Sequence, residues 1–348
     1  MTDQFVVSGR PWYRRMVLWA GVGVLLTTTA LLMIVFPSGA SSTEPALAPL
    51  ELVASAPGER RVTAAEVRRQ TDGNVVEYWV GAVPTSWNVV PNGKDPIMGK
   101  TFQASETTMQ GVLYRRFTAD WQNQMKPGSY GLTGPLIRAQ VGDTILIHFK
   151  NFDANATHSM HFHGVEYDFP SDGAFIPGVS GPGADVKPGE TFTYRLKAGP
   201  DATGVWPYHD HSPTMDASIR GGLYGALSIR PKGERLPDKE FVVFFESHRD
   251  FNTIDGLAFI TNTPIFRAKV GDTVQWDVLA LGDDHHTFHV HGHRWHTANG
   301  ARDVQTVGPA ESFRFRWKED RAGTWLYHCH VEEHMMNGMI GLYVVTEK

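Results

Sequence analysis

From about residue 75 to its end, the chain alternates apolar and polar residues in short runs. Ile145, Ile147 and Phe149 alternate with Thr144, Leu146 and His148. Val274, Trp276 and Val278 alternate with Gln275 and Asp277, and Phe313, Phe315 and Trp317 with Ser312, Arg314 and Arg316. A period of two puts successive side chains on opposite faces, so these runs read as strands. Gly-Asp and Pro-Gly turns punctuate them and predict antiparallel strands, each with one buried face. No long amphipathic helix competes with this reading.

The pattern occurs twice. GPLIRAQVGDTILIHF from Gly134 matches TPIFRAKVGDTVQWDV from Thr263, and KPGETFTYRLK from Lys187 matches GPAESFRFRWK from Gly308. GVWPYHDH from Gly204 matches GTWLYHCH from Gly323. An internal repeat of this kind takes precedence over any local motif. Each copy has the regular short strands of a β-sandwich. The expected fold is therefore all-β, with one sandwich over 75–235 and a second over 236–348, joined through PKGERLPDK.

The N-terminus reads differently. Arg10, Arg14 and Arg15 precede an uncharged run from Met16 to Phe36, followed by PSGASSTEPALAP with an A-x-A site at Ala46-Leu47-Ala48. Residues 1–48 are expected to be an export signal or signal anchor with its cleavage region, and 49–74 a linker. The run is long enough to span a bilayer, and Arg14-Arg15 suits twin-arginine export. Basic residues inside place the folded part outside the cytoplasm, secreted or anchored through Met16–Phe36. The net charge of −5 suggests no nucleic-acid partner. A single cysteine rules out an internal disulfide.

That cysteine carries the chemistry. Cys329 lies between His328 and His330, with His334 five residues on and Met339 ten residues on. A thiolate, two imidazoles and a thioether are the ligand set of a blue-copper site. On a strand, His328 and His330 share a face about 7 Å apart, and Cys329 points the other way. A metal on the thiolate and metals on the two histidines then sit on either side of one short backbone segment. Three more H-x-H pairs occur: His161/His163, His209/His211 and His289/His291. Zinc also takes such pairs, but the adjacent thiolate–thioether set favours copper. The first repeat has Asp210 in place of Cys329 and Leu223 in place of Met339, and keeps His158 opposite His286. It has lost the soft ligands, and His158 reads as an ordinary solvent or core histidine.

With H-F-H-G, H-D-H, H-x-x-H-x-H-G and H-C-H-x3-H-x4-M all intact, residues 75–348 resemble the multicopper oxidases, most closely the two-domain bacterial small laccases. The resemblance implies tandem cupredoxin-like, Greek-key domains with four coppers per subunit equivalent. By position, His286, Cys329, His334 and Met339 correspond to the type 1 ligands, and His161 and His289 to the type 2 ligands. His163, His209, His211, His291, His328 and His330 correspond to the type 3 pair. Asp172 is a candidate proton relay and Tyr167 a candidate auxiliary electron donor, the alternatives being a turn Asp in Ser-Asp-Gly and a core Tyr. His334, expected on a loop beyond the strand, is where a donor would approach. The implied activity is laccase-like: one-electron oxidation of phenols or aromatic amines coupled to reduction of O2 to water. The alternatives are oxidation of Cu(I), Fe(II) or Mn(II) at the same centres, copper nitrite reduction, or electron carriage without catalysis. In copper nitrite reductases the cysteine belongs to the first domain and fewer cluster histidines are needed. The chain has no spacer domain, so domain 1 of one subunit is expected to meet domain 2 of the next in a ring, which the resemblance implies is a homotrimer; the alternative is a monomer whose own two domains face each other.

Overall fold

A computed structural model of the chain describes residues 73–126 and 133–348. The export or anchor segment over 1–48 and nearly all of the 49–74 linker lie outside the described residues.

Strands dominate, as the alternation requires. In the first sandwich one sheet orders Thr108–Phe117, Val75–Asn88, Thr144–Asn151, Thr191–Lys197 and Glu166–Tyr167. Its partner sheet orders Ile137–Gln140, Tyr224–Arg230, Gly204–His209 and His161–Phe162. In the second sandwich one sheet orders Phe251–Ile254, Lys239–His248, Thr273–Ala280 and Ser312–Lys318. The facing sheet orders Ile265–Lys269, Ile340–Thr346, Gly323–Cys329, His286–Val290 and Val304–Val307. Each sandwich closes on its own core. Ile145, Ile147, Phe149, Phe162, Tyr194 and Tyr208 fill the first, and Trp276, Phe288, Tyr327 and Tyr343 the second.

Two expectations are corrected. The sheets are mixed, not purely antiparallel: each contains one parallel pair, such as Val75–Asn88 with Thr144–Asn151 and Lys239–His248 with Thr273–Ala280. Turn signals enforce antiparallel pairing only between strands joined by a hairpin. Strands brought together by connections that cross between sheets are free to run parallel. The strand Thr273–Ala280 is also buried on both faces, with Gln275 and Asp277 fully inaccessible. Its polar face is not solvated, because the first sandwich covers it.

That seam has an apolar centre and a polar lattice. Leu136, Val205 and Tyr224 of the first sandwich cluster with Val242, Phe244 and Leu279 of the second. Beside them Arg314 donates through Nε to Asp277 Oδ1 at 2.8 Å, through Nη1 to the Ile229 carbonyl at 2.9 Å and through Nη2 to Ser228 Oγ at 2.7 Å. Arg138 reaches Glu240 at 2.8 Å, and Arg316 reaches Glu234 at 2.6 Å. Polar groups taken out of water must find such partners. Arg314→Ala strands the Asp277 carboxylate and is expected to cost about 3–5 kcal/mol, whereas Arg314→Met with Asp277→Leu restores most of it. Urea midpoints of the three chains check this; a harmless single substitution would show that the pair does not hold the seam.

Candidate metal centre

Strand register builds the site. Gly323–Cys329 runs antiparallel to His286–Val290, with Phe288 opposite Cys329 and His289 opposite His328. Cys329 and Phe288 therefore face the core, and His328 and His289 the other side. Cys329 Sγ lies 3.9 Å from His286 Nδ1 and 3.7 Å from His334 Nδ1, and the two nitrogens are 3.2 Å apart. A metal with bonds of about 2.0 Å to nitrogen and about 2.3 Å to sulfur fits between atoms so spaced. Met339 is fully buried in the same core cluster, and its carbonyl accepts the Cys329 N–H at 3.1 Å. The structure thus brings His286, Cys329 and His334 together as a candidate metal set, with Met339 beside them.

Burial sets the protonation. It pushes the Cys329 thiol up, against the N–H of Thr287, which donates to Sγ at 3.3 Å. A bound cation must displace that proton. Burial, helped by His334, pulls His286 down to about 4, so the imidazole is neutral at pH 7 and its lone pair is free. His334 departs from expectation: it lies in the one-turn helix Glu332–Met336, not on an open loop, and is half-buried. The helix turns its ring inward, because Nδ1 must reach both Sγ and His286.

On the opposite faces lie two groups of four histidines. In the first sandwich the His163 and His209 Nε2 atoms are 3.1 Å apart, and the His161 ring is within 5.5 Å of the His163, His209 and His211 rings. In the second the His291 and His328 Nε2 atoms are 3.2 Å apart, with His289 and His330 alongside. Outward-facing lone pairs are enforced from behind. His161 Nδ1 donates to the Asp172 carbonyl at 2.7 Å and His209 Nδ1 to the Asp210 carbonyl at 2.9 Å. Repeat-equivalent bonds run from His289 to the Asp303 carbonyl at 2.6 Å and from His328 to the Cys329 carbonyl at 2.8 Å. Such bonds fix which ring nitrogen is left for a metal. Desolvation holds His163, His209 and His328 at about 4 and lowers His291. Neutral nitrogens facing at hydrogen-bond distance, with the Nδ1 protons of His209 and His328 spent elsewhere, suit a shared cation. The two groups are separate within the chain: among the described residues no ring contact joins them, and His291 and His330 are exposed.

Asp172 and Tyr167 both lie at the edge of the first group. Asp172 Oδ1 is 3.3 Å from His161 Nδ1. The Tyr167 ring centre is 6.0 Å from that of His161, and burial and Asp172 raise its hydroxyl pKa. In the first sandwich, at the place of the thiolate set, Asp210 is fully buried and accepts from the Ser159 N–H at 2.6 Å and from Ser212 Oγ at 2.6 Å. His158 beside it is a buried histidine held by Asp153 at 3.0 Å. Sequence reasoning missed the polar cluster behind His291. His293 donates from Nδ1 to the His291 carbonyl at 2.7 Å, and its Nε2 lies 3.1 Å from Glu319. Glu319 in turn accepts from Trp317 and Tyr343 at 2.5 Å. The signal was the third histidine of His289-Val-His291-Gly-His293, which has Val165 as its counterpart in the first repeat.

Comparison with known proteins agrees with this geometry. Family models described as multicopper oxidase match residues 123–234 and 235–348. Ferroxidase HEPHL1 of Mus musculus is 30% identical over 77% of this chain and 29% of its own length. A probable nitrite reductase-hydroxylamine oxidoreductase fusion protein of Kuenenia stuttgartiensis is 30% identical over 73% of this chain and 32% of its own. The chain thus spans about three-tenths of the length of these curated relatives. A solved multicopper oxidase superposes with a TM-score of 0.61 at 24% identity, covering 78% of this chain and 89% of that one. With the two models matching most of the first sandwich and the second, the chain belongs to the multicopper oxidases, and its fold is a tandem of cupredoxin-like domains. The cofactor of that family is copper, and the nitrogen–thiolate set and the histidine groups fit it.

Cys329→Ser should abolish the intense visible absorption of the copper-loaded protein while histidine-bound copper is largely retained, because the thiolate faces away from the histidine groups. Visible spectra with metal analysis check this; retained colour would mean the thiolate is not a ligand.

Proposed function

We propose that the chain is a laccase-like oxidase that takes single electrons from small phenolic or aromatic amine donors and reduces O2 to water. One observation carries the reading: Cys329 and its neighbours His328 and His330 place one metal set and one histidine group on opposite faces of a single strand end. His286, Cys329, His334 and Met339 would hold a type 1 copper, His161 and His289 a type 2, and the other six histidines a type 3 pair. Copper so bound supplies a one-electron couple at the thiolate set and the O2-reducing centre at the histidines. Four donor electrons and four protons then convert one O2 to two waters. Asp172 Oδ1 is positioned to hold a proton at the edge of the histidine group, and Tyr167 to serve as an auxiliary donor there. Asp172→Ala should slow oxygen reduction more than reduction of the blue copper; stopped-flow showing the reverse would remove Asp172 from that role.

A second reading has its own observation. Asp283 and Asp284 precede His286 by a few residues, and Glu332 and Glu333 directly precede His334. Arg220 pairs with Asp283 at 2.6 Å, but Asp284, Glu332 and Glu333 still make an acidic margin that concentrates cations, which favours Fe(II), Cu(I) or Mn(II) as donors, and the similarity to ferroxidases points the same way. Oxygen uptake with phenols, aromatic amines, these three ions and nitrite, at low and high salt, decides. Turnover of phenols unaffected by salt supports the laccase reading. Faster turnover of a metal ion, lost as salt rises, supports the second. Nitrite consumption with no oxygen uptake would refute both.

The histidine groups are separate and partly exposed in one chain, which supports a cluster completed between copies. In this reading domain 1 of one subunit faces domain 2 of the next in a homotrimer, a heterologous contact that closes on itself. His161→Ala and His289→Ala each leave one group defective. Mixed and reassociated, the two variants should recover part of the oxygen uptake, since some interfaces then pair two intact groups. No recovery despite demonstrated subunit exchange would place the cluster within one chain. We further propose that the folded part works outside the cytoplasm, released or held by the Met16–Phe36 run. Its support is the basic, apolar and small-residue order of the N-terminus.

A further inference from the structure

Each histidine group has a surface feature beside it that, Tyr167 and Asp172 apart, the proposed chemistry leaves unused. Next to the first group, the segment after His163 projects apolar side chains into solvent. Phe169 is 55% exposed, Val179 55%, Ile176 46% and Tyr167 38%. Isolated exposed hydrophobics are ordinary, but a cluster of large ones within one short segment marks an interaction surface. This segment is not slack. The Asp172 carbonyl accepts from His161, and the Phe175 N–H donates to the His211 carbonyl at 3.0 Å. Asp168 Oδ1 caps the Ser171 N–H at 3.1 Å, and Ser180 closes the Ile176 turn. Its charged residues are all acidic: Glu166, Asp168 and Asp172.

Beside the second group lies a pocket of about 570 Å³. Phe313 and Phe315 contribute aromatic surface, and His296, Thr297 and Arg302 of the hairpin Trp295–Thr297/Gly300–Arg302 form part of its wall. No carboxylate lines it. Arg302 and the neighbouring Arg294 are exposed, and neither has an ion-pair partner among the described residues. This hairpin too is tied to its group, since Asp303, the next residue, accepts from His289, and Val304 pairs with His289.

The two features begin at equivalent places in the repeat, between the H-x-H-G and the aspartate whose carbonyl holds the leading histidine, and each extends beyond that aspartate. One became an acidic, apolar projection and the other a basic, aromatic-lined hollow. We propose that they are the two halves of one joint: the 166–180 projection of one copy seats in the 296–315 pocket of the next, with Phe169 as its apolar anchor and Arg302 facing the acidic side. The occupant is a second copy of this chain, and the assignment rests on the head-to-tail assembly proposed above. Complementary charge sets orientation and discourages projection-to-projection pairing. A rigid anchor in a preformed hollow loses little freedom on docking.

The test is mass by light scattering on full-length protein across a dilution series, with two variants outside the metal ligands. Phe169→Asp and Arg302→Glu should each raise the concentration at half-dissociation about tenfold or more, the usual effect of losing a central anchor. Arg302→Glu should also flatten the dependence of assembly on salt. Mixing the two should give pairs at concentrations where each variant alone is monomeric, because the intact pocket of Phe169→Asp then meets the intact projection of Arg302→Glu at one interface, whereas a closed ring would still carry one substitution per chain. Assembly unchanged in both variants, from a wild type that is trimeric, overturns the joint but leaves the ring standing. A wild type that is monomeric at all concentrations overturns the ring itself. Unchanged mass, with an altered KM for anionic aromatic donors in Arg302→Glu, would make the pocket a small-molecule site and overturn the joint.

Discussion

Phe288 sits opposite Cys329 and His289 opposite His328, and that short register fixes both metal-binding sets at once. A slip of one residue would turn every side chain to the other face. Cys329 would leave the core, and the histidines would enter it. The aromatic packing around Phe288 guards against this. Phe288 contacts Trp276, Trp295 and Phe315, none of which tolerates a polar ring in its place. The hydrophobic core of the second domain thus acts as the alignment device for the chemistry at its edge.

Much of this was legible in the sequence because both determinants are local. Alternation placed the strands, and the spacing around Cys329 and the four H-x-H pairs named residues that the fold gathers into three separate groups. What sequence could not supply was set by partners distant along the chain. Gln275 and Asp277 looked like a solvent face and are buried, since only the docked first domain gives them a reason to be inside. The parallel pairs arise from crossovers between sheets, which leave no turn signature. His334 looked like a loop residue because a helix of one turn has no periodicity to read. The His293–Glu319–Tyr343 cluster is spread over some fifty residues, so no local motif announces it.

Comparison of the two halves shows how little separates a metal set from a purely structural one. In domain 2 the N–H of Thr287 points at the Cys329 sulfur, and in domain 1 the equivalent N–H of Ser159 points at the Asp210 carboxylate. The backbone donor is retained, and only the acceptor differs. With a hard acceptor the pocket fills with hydrogen bonds from Ser159 and Ser212 and makes a knot. With a soft one it keeps a thiol facing the imidazoles of His286 and His334. The surrounding strands need not move for either outcome.

The lattice at the seam between the domains has a geometric consequence. Arg314, Arg138 and Arg316 fasten the two sandwiches into a single wedge, and the wedge carries one histidine group on each of its domains. In any closed ring of identical wedges, the angle between their two working faces decides how many copies complete the circle. That angle is set by a handful of guanidinium contacts made by residues outside the metal-ligand sets. In the ring proposed above, the number of copies would therefore be written in the joint within each chain as much as in the surfaces between chains.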